Sequence, residues 1–147
     1  MCSSDLRLKR RPSMVIVDTN IVVHLMLEGN ATHGARALLA ADSDWHSEPF
    51  LLVEFTNVMA TAVRSGRIAA SVAGSALSDA ERVFGAELHA APHGNVLALA
   101  VKHRVSGYDA RFLAVAQQLG TKLVTENAKL RRAAPRLTQS LDQALRA

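Results

Sequence analysis

The segment Met14-Val15-Ile16-Val17-Asp18-Thr19-Asn20 decides the fold. Its first four residues are apolar and mostly β-branched, which is typical of a strand buried on both faces of a parallel sheet. Asp18 ends this run, and Thr19 and Asn20 are residues that can cap a following helix. A buried strand that passes directly into a helix indicates a βαβ unit, so the segment predicts an α/β domain.

The same alternation of apolar runs and helical periodicity continues along the chain. Strands are predicted at 14–17, 45–47, 87–90, 122–124 and 136–137. Helices are predicted at 20–28, 31–41, 49–66, 69–84, 95–105, 109–119, 128–132 and 141–145. Strands that alternate with helices pair in parallel through right-handed crossovers. We therefore predict a three-layer α/β fold, with a mainly parallel sheet between helices on both faces.

Residues 14–147 are predicted to form one domain. The chain has 147 residues, and 49% of them are hydrophobic, which is enough for a single core. Residues 1–13 show no periodicity and precede a possible start at Met14, so we interpret them as a disordered or artefactual leader. The alternative is a basic arm that contacts RNA phosphates, because +3 of the net charge of +4 lies there. The rest is nearly neutral, so charge alone is weak evidence for a nucleic-acid partner.

Several classes of protein are disfavoured by the sequence. Cys2 is the only cysteine, which excludes an internal disulfide and a cysteine-based zinc site. No apolar stretch reaches the roughly 18 residues of a membrane span and no secretory signal follows the basic amino terminus, so we expect a cytoplasmic protein without a membrane partner. The six histidines have no metal-ligand spacing, and we expect surface or packing roles for them. Neither a Gly-x-Ser-x-Gly elbow nor a glycine-rich phosphate loop occurs.

Three acidic residues occupy comparable places in the predicted elements. Asp18 ends a strand, Glu54 borders the apolar face of the helix at 49–66, and Asp109 opens a helix. Such positions face the crevice where open α/β sheets bind ligands, and carboxylate oxygens select Mg²⁺ or Mn²⁺. Asp18 and Asp109 could instead cap helices, whereas Glu54 beside a buried stripe needs a cation or hydrogen-bond donors. Together the three acids predict a metal-dependent nuclease.

The motifs around these acids form an ordered set. They are Val17-Asp18-Thr19-Asn20, Leu52-Val53-Glu54-Phe55, Tyr108-Asp109-Ala110-Arg111-Phe112-Leu113 and Leu119-Gly120-Thr121-Lys122-Leu123-Val124-Thr125. In order and spacing the set resembles PIN-domain ribonucleases, and the chain is similar in size to the VapC toxin of a VapBC type II toxin-antitoxin pair. The resemblance covers residues 14–147. It implies a PIN-like fold with about five strands, a homodimer, and an acidic pocket that holds Mg²⁺, with Mn²⁺ as a substitute.

The resemblance also implies roles for individual residues. Asp18, Glu54 and Asp109 match the acidic metal ligands and catalytic residues of the family. Two further residues match polar positions that orient metal-bound water or a carboxylate, namely Asn20 and Thr125. One position departs from the pattern, because Asn127 stands where such toxins usually have Asp. An amide oxygen at Asn127 can still ligate a metal but carries no charge, and the neighbouring Glu126 could compensate.

The resemblance implies an endoribonuclease that hydrolyses phosphodiester bonds as the toxin of a toxin-antitoxin pair. Its partners would be an RNA substrate and a small cognate antitoxin. The basic residues Lys129, Arg131 and Arg132 follow a strand end and could contact RNA phosphates, although a solvated helix face is the commoner outcome. Two alternatives remain at this point: a non-catalytic PIN-like module that binds RNA or a partner and is weakened by Asn127, and a Mg²⁺-binding doubly wound signalling domain.

Overall fold

The structure is a computed structural model that describes residues 14–147. In these residues the strands are β1 (Val15–Val17), β2 (Trp45–His46), β3 (Leu123–Val124) and β4 (Thr138–Gln139). The helices are α1 (Thr19–Met26), α2 (Thr32–Ala41), α3 (Phe50–Arg64), α4 (Ala70–Phe84), α5 (His93–His103), α6 (Gly107–Gln118), α7 (Ala128–Ala133) and α8 (Leu141–Arg146). The predicted leader, residues 1–13, lies outside the described residues.

The described strands form one parallel sheet in the order β2-β1-β3-β4. Ile16 pairs with His46 on one side and with Leu123 on the other. The strand order reverses between β1 and β3, and ligands of open α/β sheets bind at the carboxyl ends of strands at such a switch point. The residues that follow β1 and β3, Asp18 and Thr125, meet there.

The prediction of a parallel α/β fold is confirmed, with a difference in strand count. Within residues 14–147 the sheet has four strands rather than about five. The segment predicted as a strand at 87–90 makes only an isolated parallel bridge, between Ser47 and Leu88. The last strand is Thr138–Gln139 rather than 136–137. The carbonyl of Leu137 accepts a hydrogen bond from Leu123 N, but the residues that pair with β3 are Thr138 and Gln139.

Two helix boundaries differ from the prediction in ways that matter for the acids. The first helix is capped by Asp18, whose Oδ1 accepts a 3.4 Å hydrogen bond from Ile21 N, so Thr19 and Asn20 are helical. Helix α6 begins at Gly107, and Ser106 caps it by accepting from Asp109 N at 3.0 Å. Asp109 therefore lies at the third position of α6 instead of opening the helix as predicted.

Helix α6 is the central helix of the core. Its residues Ala110, Phe112, Leu113, Ala114, Val115 and Ala116 are all buried. A helix buried on most of its circumference packs between other elements, and α6 contacts α5, β1 and β3. This packing fixes the start of α6, and hence Asp109, against the carboxyl end of the sheet. Among residues 14–147, no helix is long and apolar enough to cross a membrane.

Candidate functional site

Asp18 is the most buried acid of the site. It follows β1 directly and keeps only 7% of its surface exposed. Its Oδ2 accepts a 2.5 Å hydrogen bond from Thr125 Oγ1, across 107 residues of sequence. Burial raises the pKa of Asp18 from 3.8 to about 6, while the bonds from Thr125 and Ile21 oppose the rise and the nearby Asp109 and Glu54 add to it. The site thus holds a carboxylate that a cation would stabilise.

Glu54 reaches the same site from the side of helix α3. Its carboxylate is half-buried, and Oε1 accepts a 2.5 Å hydrogen bond from Thr19 Oγ1. Thr19 is a residue that the sequence did not predict for the site, because its type and position suggest only a helix cap. The available signal was its hydroxyl directly after Asp18, at the start of a helix that faces the pocket. Thr19 holds one oxygen of Glu54 in place.

Asp109 completes the set from the first turn of α6. Its side chain is half-buried, and its pKa is raised mainly because burial penalises the charged form, with the Ser106 side chain opposing the rise. The helix amino terminus also favours an anion at this position. Burial thus makes the charged form of Asp109 less favourable than that of an exposed aspartate.

One pocket gathers the three acids. Its lining consists of Asp18, Thr19, Asn20, Glu54, Val58, Asp109, Phe112 and Asn127. The three carboxylates line this pocket without bringing their oxygen atoms within 4.8 Å of one another. In residues 14–147 a different cluster has three ligand atoms that close together. Such a set of carboxylates fits Mg²⁺, because Mg²⁺ keeps several waters and needs only one or two direct carboxylates. The donors are hard oxygens, so the residues present fit Mg²⁺ or Mn²⁺.

The residues at the end of β3 take different positions. Asn127 lines the pocket, but its Oδ1 also caps α7 by accepting a 3.1 Å hydrogen bond from Leu130 N. Glu126 does not line the pocket. Its Oε2 accepts from Leu141 N at 2.9 Å, which places the carboxylate at the start of α8. The expected compensation by Glu126 for the missing charge at Asn127 is therefore not seen in this geometry.

Comparison with known proteins identifies the fold family of this site. The PIN domain family matches residues 15–135, which is most of the chain. The chain belongs to the PIN domain family. PIN domains are generally metal-dependent nucleases that use divalent ions, and the acidic pocket of this PIN domain has the donors for such an ion.

A solved structure supports the same fold. The crystal structure of PAE2754 from Pyrobaculum aerophilum matches this PIN domain with a TM-score of 0.72 and 22% sequence identity, over 90% of this chain and 96% of that chain. At this identity the likeness shows the fold alone. No curated protein matches the sequence.

The predicted basic residues divide between two environments. Lys129 lines a second cavity that shares Asp109 and Asn127 with the acidic pocket, and Arg104 lines it too. Arg131 is held inward, because its guanidinium donates to Thr125 O at 2.8 Å. Arg132 is exposed. Arg104 was missed by the sequence reasoning because it ends α5, and its place beside the pocket depends on how α5 packs on α6.

Two of the histidines form a pair that the sequence did not predict. His46 and His89, separated by 43 residues, lie within hydrogen-bond distance, with Nδ1 of His46 2.9 Å from Nε2 of His89. Spacing along the sequence cannot show such a pair, because it depends on the bridge between Ser47 and Leu88. Neither histidine lines the acidic pocket.

Proposed function

We propose that this PIN domain is a Mg²⁺- or Mn²⁺-dependent endoribonuclease, and that Asp18, Glu54 and Asp109 are its catalytic and metal-binding residues. The observation that carries the proposal is the convergence of the three carboxylates on one pocket, from β1, α3 and α6. Burial has raised the pKa of two of them, so the free site carries a penalty that a divalent cation would relieve. A pocket with a purely structural role has no need of this arrangement.

Each residue of the site has a separate role in the proposed hydrolysis of a phosphodiester bond. Asp18, Glu54 and Asp109 would hold the ion, and the bound ion supplies Lewis-acid stabilisation of the charge that develops on the phosphate. Thr125 and Thr19 fix one oxygen each of Asp18 and Glu54, which limits the orientations of both carboxylates. Asp109, which is more accessible than Asp18 and has a raised pKa, is the residue suited to accept a proton from the attacking water.

RNA is the proposed substrate because of the resemblance to PIN-domain ribonucleases, since the acidic residues alone do not distinguish RNA from DNA. Single-stranded or looped RNA can place a backbone phosphate in a narrow pocket, whereas a duplex cannot do so without unpairing. Lys129 and Arg104, at the cavity that adjoins the pocket, are placed to contact the neighbouring phosphates. Arg131 is the weaker choice for such a contact because it already binds Thr125 O.

The proposed biological setting is a VapBC pair in the cytoplasm. In this setting the chain is the toxin, forms a homodimer, and is inhibited by a small antitoxin encoded beside it. A disordered tail of the antitoxin that brings an Arg or Lys to Asp18 and Glu54 would replace the charge of the ion. Co-expression with the adjacent gene product tests the pair. A partner that binds without suppressing cleavage would contradict this mode of inhibition.

Cleavage assays on matched variants test the enzymatic proposal. The purified chain is incubated with labelled single-stranded RNA and DNA in Mg²⁺, Mn²⁺ or chelator, and we expect ion-dependent cleavage of RNA. Asp109→Asn should abolish it. Asp142→Asn is the matched control, because Asp142 is also an acid in the first turn of a helix but is exposed on α8. Cleavage that survives in Asp109→Asn would remove Asp109 from the site.

The non-catalytic alternative has a distinct outcome in the same assay. Asn127 leaves three carboxylates in the pocket where the resemblance implies four. If the wild-type chain binds RNA but leaves it intact in both Mg²⁺ and Mn²⁺, the domain is a binding module and the nuclease proposal fails.

A further inference from the structure

A second group of metal-ligating atoms lies outside the acidic pocket. His46, Glu87 and His89 each direct one ligand atom to a common point, with all three atoms within 4.8 Å of one another. Nδ1 of His46 lies 2.9 Å from Nε2 of His89 and 3.2 Å from Oε2 of Glu87, and the last two atoms are 3.6 Å apart. None of the three lines the acidic pocket.

The backbone explains why these side chains meet. Ser47 and Leu88 form a parallel bridge, in which Ser47 N donates to Glu87 O at 3.2 Å and His89 N donates to Ser47 O at 2.8 Å. Side chains alternate between the two faces of extended chains, so paired residues share one face and their neighbours share the other. The neighbours of the bridge are His46, Glu87 and His89, together with Glu48, whose carboxylate instead accepts from Phe50 N, Ala91 N and Arg111. Hydrogen bonds of the main chain therefore hold all three ligands on one face.

The separations of the three atoms are close to those of a tetrahedral metal site. Zinc bonds of about 2.0–2.2 Å imply ligand atoms roughly 3.3–3.6 Å apart at the corners of a tetrahedron. The separation of 3.6 Å lies within this range and that of 3.2 Å lies just below it, while the two ring nitrogens at 2.9 Å need to part by a few tenths of an ångström. The His89 side chain is 30% exposed, so its ring has room to turn.

A fourth residue orients the buried histidine. His46 Nε2 lies 2.7 Å from Oδ1 of Asp44, and the His46 side chain is only 8% exposed. A carboxylate that accepts the proton of one ring nitrogen leaves the other nitrogen free as a ligand, and this arrangement is the usual outer support of histidine ligands. Asp44 thus prepares Nδ1 of His46 to bind a metal.

We propose that His46, Glu87 and His89 bind a divalent transition-metal ion of borderline softness, with Zn²⁺ the natural probe. Two imidazoles and one carboxylate suit Zn²⁺, whereas Mg²⁺ prefers oxygen ligands and binds imidazole poorly. The partial exposure of Glu87 and His89 leaves a fourth position for water. The ion fastens the segment between α4 and α5 to the edge strand β2, where the Ser47–Leu88 bridge is the contact between the chains.

Metal titration in the presence of excess Mg²⁺ tests the proposal, because Mg²⁺ competes with Zn²⁺ for the carboxylates of the acidic pocket and competes poorly for imidazole ligands. The full-length chain, freed of any affinity tag and stripped with chelator, is titrated with Zn²⁺ and Co²⁺ by calorimetry and visible absorption. We expect one Zn²⁺ per chain, a rise in melting temperature, and a tetrahedral Co²⁺ spectrum. Absence of Zn²⁺ binding would overturn the proposal and leave a hydrogen-bonded histidine pair.

Variants of the partly exposed ligand separate this site from other zinc-binding positions. His89→Ala should weaken Zn²⁺ binding by more than tenfold, and a smaller loss would overturn the assignment. His93→Ala is the matched control, because His93 is an exposed histidine four residues further along and lies outside the cluster. Asp109→Asn should still bind one Zn²⁺ in excess Mg²⁺, and loss of zinc in this variant would assign the ion to the acidic pocket instead.

Discussion

At the residue scale, Asp18 is a buried carboxylate whose charged form is destabilised in the folded chain. The residue is buried with two hydrogen-bond donors, Thr125 Oγ1 and Ile21 N, and no positive charge is among the causes that act on its pKa. Burial destabilises the charged form of Asp18 more than these hydrogen bonds stabilise it, so the pKa of Asp18 rises to about 6. The folded, metal-free chain therefore binds a proton at Asp18 more tightly than the unfolded chain does.

This difference predicts a pH dependence of stability for the metal-free chain. A raised carboxyl pKa stabilises the folded state below the unfolded value of 3.8, and the contribution is lost as pH rises through about 6. At pH 7 and in chelator, Asp18→Asn should therefore be more stable than the wild type by up to about 3 kcal/mol. The difference should vanish near pH 4. Urea denaturation at both pH values measures it, and an equal difference at both would show that the titration of Asp18 is not its cause.

A substitution of Asn127 is predicted to increase metal affinity and cleavage. Its Oδ1 caps α7 through Leu130 N, and an aspartate caps a helix equally well. Asn127→Asp should therefore keep the helix and add one negative charge to the pocket, which tightens Mn²⁺ binding and raises cleavage at low metal concentration. Calorimetric titration with Mn²⁺ measures the affinity.

Asn127→Ala serves as the control because it removes the cap without adding charge. It should lower the free energy of unfolding by about 1 kcal/mol and leave the ion affinity nearly unchanged. If Asn127→Asp binds Mn²⁺ no better than the wild type, the side chain does not face the ion.

At the element scale, the carboxyl end of α5 presents a basic residue to the site. Arg104 ends this helix with φ of 56°, and it is the non-glycine residue of the described chain with positive φ. A left-handed conformation costs a residue with a side chain roughly 1 kcal/mol relative to glycine. The strain is retained where Arg104 lines the cavity beside Asp109 and Asn127. A phosphate contact is a reason to retain it.

A glycine at position 104 distinguishes the effect of the left-handed backbone of Arg104 from the effect of its positive charge. Arg104→Gly should keep or raise the melting temperature while it weakens RNA binding, and the slope of log affinity against log salt should fall by about 0.7 for the lost contact with a single strand. Lys102→Ala is the matched control, as an exposed cation at the same helix end that does not line the cavity. An unchanged slope in Arg104→Gly would exclude Arg104 from the RNA-binding surface.

At the scale of the whole molecule, Glu48 connects elements that are far apart in sequence. Its side chain is 3% exposed and accepts from Phe50 N at 2.6 Å, Ala91 N at 3.2 Å and Arg111 at 3.2 Å. These bonds join the end of β2 to α3, to the segment before α5, and to α6. Glu54 and Asp109 lie on two of the connected helices, so Glu48 sets their relative positions without lining the pocket.

Loss of Glu48 should destabilise the entire domain. Glu48→Ala leaves Arg111 without its partner, and it leaves the buried N–H of Ala91 and the part-buried N–H of Phe50 without their acceptor. We expect the free energy of unfolding to fall by about 3 kcal/mol or more. Glu28→Ala is the control, since the ion pair of Glu28 with Arg36 is exposed and should contribute less than about 1 kcal/mol. Urea denaturation measures both variants. Equal effects would show that the connection by Glu48 is not stabilising.

Much of the fold could be predicted from sequence because its signals are local. The apolar run at β1 and the periodicity of the helices follow from neighbouring residues. The fifth strand was wrong because a bridge at Leu88 forms without a continuing ladder. The contact of Thr19 with Glu54 and the pairing of His46 with His89 were not predicted, since they span 35 and 43 residues and depend on register and helix packing.

The bond between Thr125 and Asp18 has a consequence for protein synthesis. The two residues are 107 positions apart, and a ribosome adds roughly 5–20 residues per second. A growing chain therefore carries Asp18 for about 5 to 20 seconds before Thr125 has been added. During this interval β1 also lacks its neighbour β3, so the pocket cannot be complete. A nascent chain that has not yet reached Thr125 therefore cannot contain the complete pocket.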